Sequence, residues 1–307
     1  MRVFLSSTYE DLIEYRAKAA NAVERLGQHG VRMEVFGARP TSASSACFEE
    51  IDSCDALVGI YAHRYGYIPD GSNVSITEQE FDFALEKHKP VFGFLVDANY
   101  PWLPIHIDHE PALSRLNLFK QKIQETVVRD VFTTPDDLAY KVASSLGRFL
   151  LGKKIKEELD QITGRGVVTS EEGRDQVARR AARLQVILQG ARVLLVNDVP
   201  SDMSGVIRIL ANLGAVVDVA TTSDEGLLAL AGSRFDLVIS DMMRNDVPDE
   251  GIRFLAQMRS RNLYRPTIFT VGRFKPELGT PAYAFGITNR VDELLNLVFD
   301  ALERTRG

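Results

Sequence analysis

The chain has 307 residues, 45% of them hydrophobic and 25% charged, an ordinary globular balance with enough length for two α/β domains of about 150 residues each. Its net charge of −6 argues against broad nucleic-acid binding through a basic face and leaves room only for a local patch. Two cysteines, Cys47 and Cys54, are too few for a disulfide framework, match no zinc pattern, and read as reduced thiols in or near a core.

In chain order, Val3-Phe4-Leu5 predicts a first strand that starts almost at the first residue, with no secretory signal before it. No apolar run approaches the roughly 20 residues that span a bilayer, so a cytoplasmic protein without a membrane partner is expected. Ser6, Ser7 and Thr8 end the strand. A helix follows, with Leu12, Ala19, Ala20, Val23 and Leu26 on one stripe, and Gly30 beyond its end. Val31 to Phe36 alternates like a second strand, and Gly37 to Ser42 is a loop of turn formers. A short helix is expected at Cys47 to Ile51. Ala56 to Tyr61 is a continuous apolar run, as in a strand buried on both faces. A loop over Gly66 to Asn73 precedes a helix from about Ser75 to Lys87, and Pro90 to Val96 is the next buried strand. His106 and His109 lie close together but lack the helical frame of a metal pair.

This alternation predicts a doubly wound parallel sheet whose ligands bind at the carboxyl ends of its strands. That edge carries Ser6, Ser7 and Thr8, the loop from Phe36 to Thr41, and the loop from His63 to Tyr67.

Four stretches on this frame carry a resemblance: Val3 to Thr8, Phe36-Gly37-Ala38-Arg39-Pro40, His63-Arg64-Tyr65-Gly66-Tyr67, and Ser75 to Phe81. Together they resemble the TIR-like domain of unknown function found at the front of bacterial signalling and NTPase proteins, over about residues 1 to 110. TIR domains are flavodoxin-like, and some cleave NAD+ at the nicotinamide–ribose bond with a glutamate early in a helix. Glu80-Phe81-Asp82-Phe83-Ala84-Leu85 is similar to that glutamate pattern, without the tryptophan that often precedes it. The resemblance therefore implies Glu80 as a catalytic group, with Ser6, Ser7, Thr8 and Arg39 around an adenine dinucleotide. A carboxylate suits this chemistry, because breaking the glycosidic bond develops oxocarbenium charge on the ribose.

The same residues have plainer readings. Ser75 to Glu78 and Thr77 to Glu80 each fit a capping box, and only one can form. If Ser75 caps, Glu78 closes the box and Glu80 faces a ligand. Ser6, Ser7 and Thr8 serve equally as a helix cap cluster or as amides and hydroxyls for phosphate or ribose. Arg39 is either a ligand contact or an exposed loop charge, and Tyr65 and Tyr67 read as packing residues.

From Asp136 to about Ile162 the pattern is helical, and Gly164-Arg165-Gly166 breaks it. Ser170 starts a second helix with Val177, Ala181, Leu184 and Ile187 on one stripe, ending near Gly190. This connector over 151–190 either packs on its own domain or pairs with a partner helix.

A new α/β rhythm begins at Arg192. Strands are expected at Arg192 to Val196, Val216 to Ala220, Phe235 to Asp241 and Pro266 to Thr270, with helices around Met203 to Leu213, Gly251 to Arg259 and Asp292 to Arg304. Residues 191 to 304 resemble a response-regulator receiver domain. Asp241 stands where receivers carry the phosphoacceptor, Asp198 matches one of the acids that hold Mg2+, and Thr270 matches the switch hydroxyl. Two positions depart. Asn197 replaces the first acid, which weakens Mg2+ binding. No lysine follows the fifth strand, where Phe285-Gly286-Ile287-Thr288-Asn289 stands. Asp241 is thus either phosphorylated or part of a degenerate receiver used for protein contacts.

The fold expected is α/β, two flavodoxin-like doubly wound domains joined by helices: 1–150, a connector over 151–190, and 191–307. The resemblances imply a signalling or defence-type protein that binds or cleaves NAD+, with a histidine kinase or other signalling protein as partner and a homo-oligomer as the assembly. The alternatives are a non-catalytic scaffold and a nucleotide sensor without turnover.

Overall fold

The structure is a computed structural model that describes residues 1–33, 43–162, 170–272 and 279–307. It divides into two compact units, Met1–Gly147 and Arg148–Gly307. Among the described residues, each unit holds one five-stranded parallel sheet flanked by helices, a flavodoxin-like α/β domain.

In the first unit, β1 (Arg2–Ser7), β2 (His29–Val31), β3 (Ala56–Tyr61), β4 (Val91–Val96) and β5 (Arg129–Phe132) lie in the order β2-β1-β3-β4-β5. Val3 stands beside Ala56 and Ser7 beside Ile60, so β1 and β3 end level with one another. All six residues of β3 are buried, as its unbroken apolar run requires of a central strand covered on both faces. Successive residues of β1 serve opposite faces. Val3 and Leu5 pack with Ala19, Ala20 and Val23 of α1 (Ile13–Arg25) and with Leu138 and Val142 of α5 (Pro135–Gln161). On the other face, Phe4 packs with Cys47 and Ile51 of α2 (Ala43–Ser53) and Ala84 of α3 (Ile76–Glu86). Further along that face Phe81, Leu95, Phe119 and Ile123 cluster, the last two from α4 (Ala112–Thr126). Cys47 and Cys54 are free and buried.

The strand predicted at Val31 to Phe36 is placed earlier, at His29–Val31, and its last residues lie outside the described ones. The sequence order reverses at β1, whose neighbours are β2 on one side and β3 on the other. A crevice therefore opens beyond the carboxyl ends of β1 and β3, the position at which open α/β sheets take ligands.

In the second unit, β6 (Arg192–Val196), β7 (Val216–Ala220), β8 (Leu237–Asp241), β9 (Thr267–Thr270) and β10 (Gly286–Thr288) lie in the order β10-β9-β8-β6-β7. One face carries α7 (Ser204–Asn212) and α10 (Val291–Arg306), which bury Val193, Leu195 and Ile239. The other carries α8 (Ser223–Gly232) and α9 (Glu250–Ser260), which bury Leu194, Val196 and Val238.

The helix left open by the sequence, α6 (Glu171–Leu188), packs within the second unit. Val177, Ala181, Leu184 and Leu188 join the core under α10, and Arg180 reaches Asp300 and Glu303 on that helix. This inner stripe is closed and does not present itself to a partner helix. No helix of the described residues is long and apolar enough to cross a membrane.

Candidate functional site

Two groups of polar residues stand at the carboxyl edges of the sheets, one in each unit. In the first unit β1 delivers Ser6 and Ser7 to the crevice floor, and α3 brings Glu80 on its second turn. The Ser6 hydroxyl donates to Glu80 Oε2 at 2.6 Å, a contact between two side chains that are 1% and 3% exposed. Glu80 borders a cleft of about 380 Å3 that is walled by Ser7 and Thr8 after β1, Arg64, Gly66 and Tyr67 after β3, and Thr77 of α3. Gly66 has φ of +97°, and a Cβ there would stand 3.2 Å from the Thr8 methyl and 3.3 Å from the Thr77 hydroxyl. Glycine is what lets the β3 loop close over β1 and α3.

Glu80 is not a capping residue. Ser75 caps α3 by accepting from the Glu78 N–H at 3.3 Å. The Glu78 carboxylate does not return to close the expected box; it accepts from the Tyr65 hydroxyl at 2.7 Å and from Lys122 at 3.0 Å. A nearby phenol and ammonium outcompete the cap's own N–H, which bonds the Tyr65 oxygen instead. Burial pushes the Glu80 carboxyl above its ordinary value, partly offset by the Ser6 hydroxyl, the Cys47 thiol and the Arg16 charge.

Ser6, Ser7 and Thr8 form no helix cap, because α1 begins only at Ile13 and its N-cap is Leu12. For the same reason their amides do not open a helix toward a phosphate. Ser7 is turned inward: it accepts from Arg16 Nη1 at 2.6 Å and donates to the Thr8 carbonyl. The Thr8 hydroxyl is buried and, among the described residues, has no hydrogen-bond partner. Arg39 lies outside the described residues. Tyr65 is buried and packs as expected, whereas Tyr67 is 67% exposed at the cleft mouth.

Two charged residues of this edge had no place in the sequence reading. Arg16, 3% exposed, lies on the apolar stripe of α1 between Leu12 and Ala20. A cation at i+4 within such a stripe was a legible signal. Asp11 is 8% exposed with neither carboxylate oxygen hydrogen-bonded among the described residues, and burial raises its pKa against the nearby Thr8 hydroxyl and the Arg64 and His106 charges.

In the second unit, parallel register places Asp241 beside Thr270. The Thr270 hydroxyl lies 3.4 Å from Asp241 Oδ1, which also accepts from the Met242 N–H at 2.9 Å. Asp198, after β6, accepts from the Asn245 N–H at 2.8 Å. Burial first, and the Asp198 charge after it, push the Asp241 carboxyl above its ordinary value, against the Met242 N–H that lowers it. Two carboxylates completed by water suit Mg2+. The Asn197 amide oxygen adds little, because it accepts from the Val199 N–H at 2.7 Å. Among the described residues no group of three or more acids, histidines or cysteines forms a metal cluster.

The sequence reading also missed Arg244, three residues beyond Asp241 and 1% exposed. Its guanidinium donates to Ser240 Oγ at 2.7 Å, to the Asp241 carbonyl and to Ser223 Oγ at 2.8 Å, and lies over the Phe254 ring. A charged residue in a turn gives no periodic signal, so its burial was not legible.

A family profile described as a domain of unknown function, DUF4062, matches residues 2–147. No curated protein matches the chain. Among solved structures the chain is similar to a chemotaxis response regulator of Vibrio cholerae, with 25% identity, a TM-score of 0.33, and 37% of this chain and 99% of that chain covered. It is also similar to a response-regulator receiver domain from Francisella (21%, TM-score 0.34, 38% and 99% covered) and to one from Methanospirillum hungatei (23%, TM-score 0.33, 38% and 97% covered).

Proposed function

We propose that this chain is a signalling or defence-type protein whose first unit binds an adenine dinucleotide such as NAD+ in the β1–β3 crevice and cleaves it at the nicotinamide–ribose bond. The second unit, built like a receiver, regulates or assembles the first. The observation that carries this reading is the position of Glu80: in the wall of a cleft at the sheet's reversal point, bonded to Ser6, and free of any helix cap. The cleft volume of about 380 Å3 lies in the range of small-ligand sites.

The chemistry follows from the burial of Glu80. Burial favours its neutral form. A cationic nicotinamide riboside brought within about 4–6 Å favours the carboxylate instead. In that form Glu80 stabilises the charge that develops on the ribose as the bond breaks, in a site with little water to screen it. Ser6 holds the carboxyl in place, and Arg16 braces Ser7 beneath the same loop.

Nicotinamide release from NAD+ tests the reading, measured from dilute to high protein concentration and under crowding, since a site completed by assembly is silent when dilute. Glu80→Gln keeps the shape and removes the charge; turnover is expected to fall at least about 100-fold. Glu78→Gln, whose carboxylate serves Tyr65 and Lys122, is expected to matter far less. Equal turnover in wild type and Glu80→Gln would sink the catalytic role.

A second reading, a scaffold that only mediates protein contacts, is favoured by one observation. The acceptor pocket of the second unit has Asn197 folded onto its own turn and no lysine in Thr288-Asn289-Arg290. Absence of turnover at every concentration, with the fold intact, would select it.

A further inference from the structure

The C-terminal half of α5 and the whole of α6 lie side by side in the second unit, tied by ion pairs from Lys156 to Asp175 and from Arg174 to Asp160. Between them runs an open groove of about 650 Å3. Its floor is apolar: Phe149 and Gly152 from α5, Ala178 and Ala182 from α6. The helices approach closely there, since a Cβ on Gly152 would lie 3.6 Å from the Ala178 carbonyl. Val186, 87% exposed, extends the Ala178–Ala182 line by one more turn. This outer stripe centres about 130° round the helix axis from the inner one of Val177, Ala181, Leu184 and Leu188, with Ala178 at its edge also buried in the core.

The rim is basic in a chain whose net charge is −6. Arg148, Lys153, Lys156, Arg179 and Arg183 border the groove against a single carboxylate, Asp175, which pairs with Lys156. Among the described residues Lys153, Arg179 and Arg183 have no ion pair. These three cations stand along an apolar trough with no carboxylate of their own, Arg179 sharing only the Asp175 carboxylate that Lys156 already holds. They are placed for something acidic that also brings apolar side chains.

We propose that the α5–α6 groove is a docking site for an acidic amphipathic helix of a partner protein. Such a helix lays its apolar stripe into a trough of this kind, and its flanking carboxylates meet the rim. The groove runs about 12 Å along each helix, so it holds about two turns of the occupant and three with Val186. A second copy of this chain fits less well where its own acids are paired: Asp300 and Glu303 of the strongly amphipathic α10 with Arg180, Glu158 with Arg208, Asp160 with Arg174. A nucleic-acid backbone matches the rim but not the apolar floor. A membrane needs a protruding apolar face rather than a recessed one. The site is independent of the dinucleotide reading of the first unit.

The test is fluorescence anisotropy on the full chain with a labelled 18-residue helical peptide carrying a leucine stripe flanked by glutamates. A peptide with the same stripe flanked by lysines, a DNA duplex and phosphatidylserine vesicles are run beside it. The acidic peptide is expected to saturate the protein and to weaken at least about 5-fold between low salt and 0.3 M, as a rim of exposed charges requires. Arg179→Glu with Arg183→Glu is expected to weaken it at least about 10-fold, as like charges across an interface do. Ala182→Trp, which fills the trough and leaves the charges, is expected to weaken it similarly. Thermal melts check each variant; the two arginines are exposed, so their reversal leaves the fold intact even if Ala182→Trp does not. No binding of the acidic peptide, equal binding of the lysine peptide, indifference to the arginine reversal, or preferential binding of DNA or vesicles each overturns the proposal.

Discussion

At the scale of single residues, the charged groups of both edges sit where water is scarce, and their titration should show in stability. Burial holds the Glu80 carboxyl above its ordinary 4.5. The folded chain keeps that proton while the unfolded chain releases it. Stability from this group is therefore complete below pH 4.5 and declines as pH rises through the folded value. Glu80→Gln abolishes the decline, so the variant should melt no higher than wild type at pH 4 and higher than wild type near pH 8. A melting difference that does not change with pH would refute the protonation. Asp241 makes a second case. Among the described residues its neighbours include one carboxylate and an amide committed to the Val199 N–H, and no lysine. Labelling by acetyl phosphate in Mg2+ is expected to be slow or substoichiometric; rapid, stoichiometric labelling abolished by Asp241→Asn would show the pocket complete. Glu80, Ser6, Asp241 and Thr270 were legible as site candidates because they end strands or open helices in fixed order. Asp11 and Arg244 were not, since a lone charge in a loop reads as solvated until the fold buries it.

Among the elements, legibility followed hydrophobic pattern. β3, β4, β6 and β8 are continuous apolar runs and were found within a residue or two. β5 was missed, because Arg129-Asp130-Val131-Phe132 is an edge strand with two exposed charges. α8 was missed as well; it is ten residues long, contains Gly226, and has Leu228 75% exposed among its apolar positions. α4 was readable in principle, since Leu116, Phe119 and Ile123 recur at helical spacing. For α6 the sequence showed a stripe but not its partner. The packing under α10 predicts that a fragment of residues 148–307 melts cooperatively, whereas 191–307 exposes the apolar face of α10 and melts lower or not at all. Leu188→Ala in the longer fragment should cost about 2–4 kcal/mol, a fall of roughly 4–16 °C in Tm. Equal melting of the two fragments would mean that α6 is a detachable linker.

For the whole molecule, the proposal that the second unit regulates or assembles the first predicts self-association, and two-fold pairing is the commonest soluble arrangement. The full chain of 34.2 kDa is expected to run at about twice its mass by light scattering after size exclusion, and residues 1–147 alone as a monomer. Pairing would hold two first-unit clefts at high effective concentration, favouring any site completed between copies. A full chain that stays monomeric at micromolar concentration, with or without NAD+, removes this expectation. The two sheets also matter before assembly. Among the described residues, all strands of the first lie within Arg2–Phe132 and all strands of the second within Arg192–Thr288, so neither sheet borrows a strand from the other stretch of chain. On a ribosome moving at about 5–20 residues per second, the stretch between Phe132 and Arg192 takes roughly 3–12 s to emerge. Parallel sheets of this size close in milliseconds to seconds. The nascent first sheet thus has time to finish before any strand of the second leaves the exit tunnel, which keeps two look-alike sheets from trading strands during synthesis.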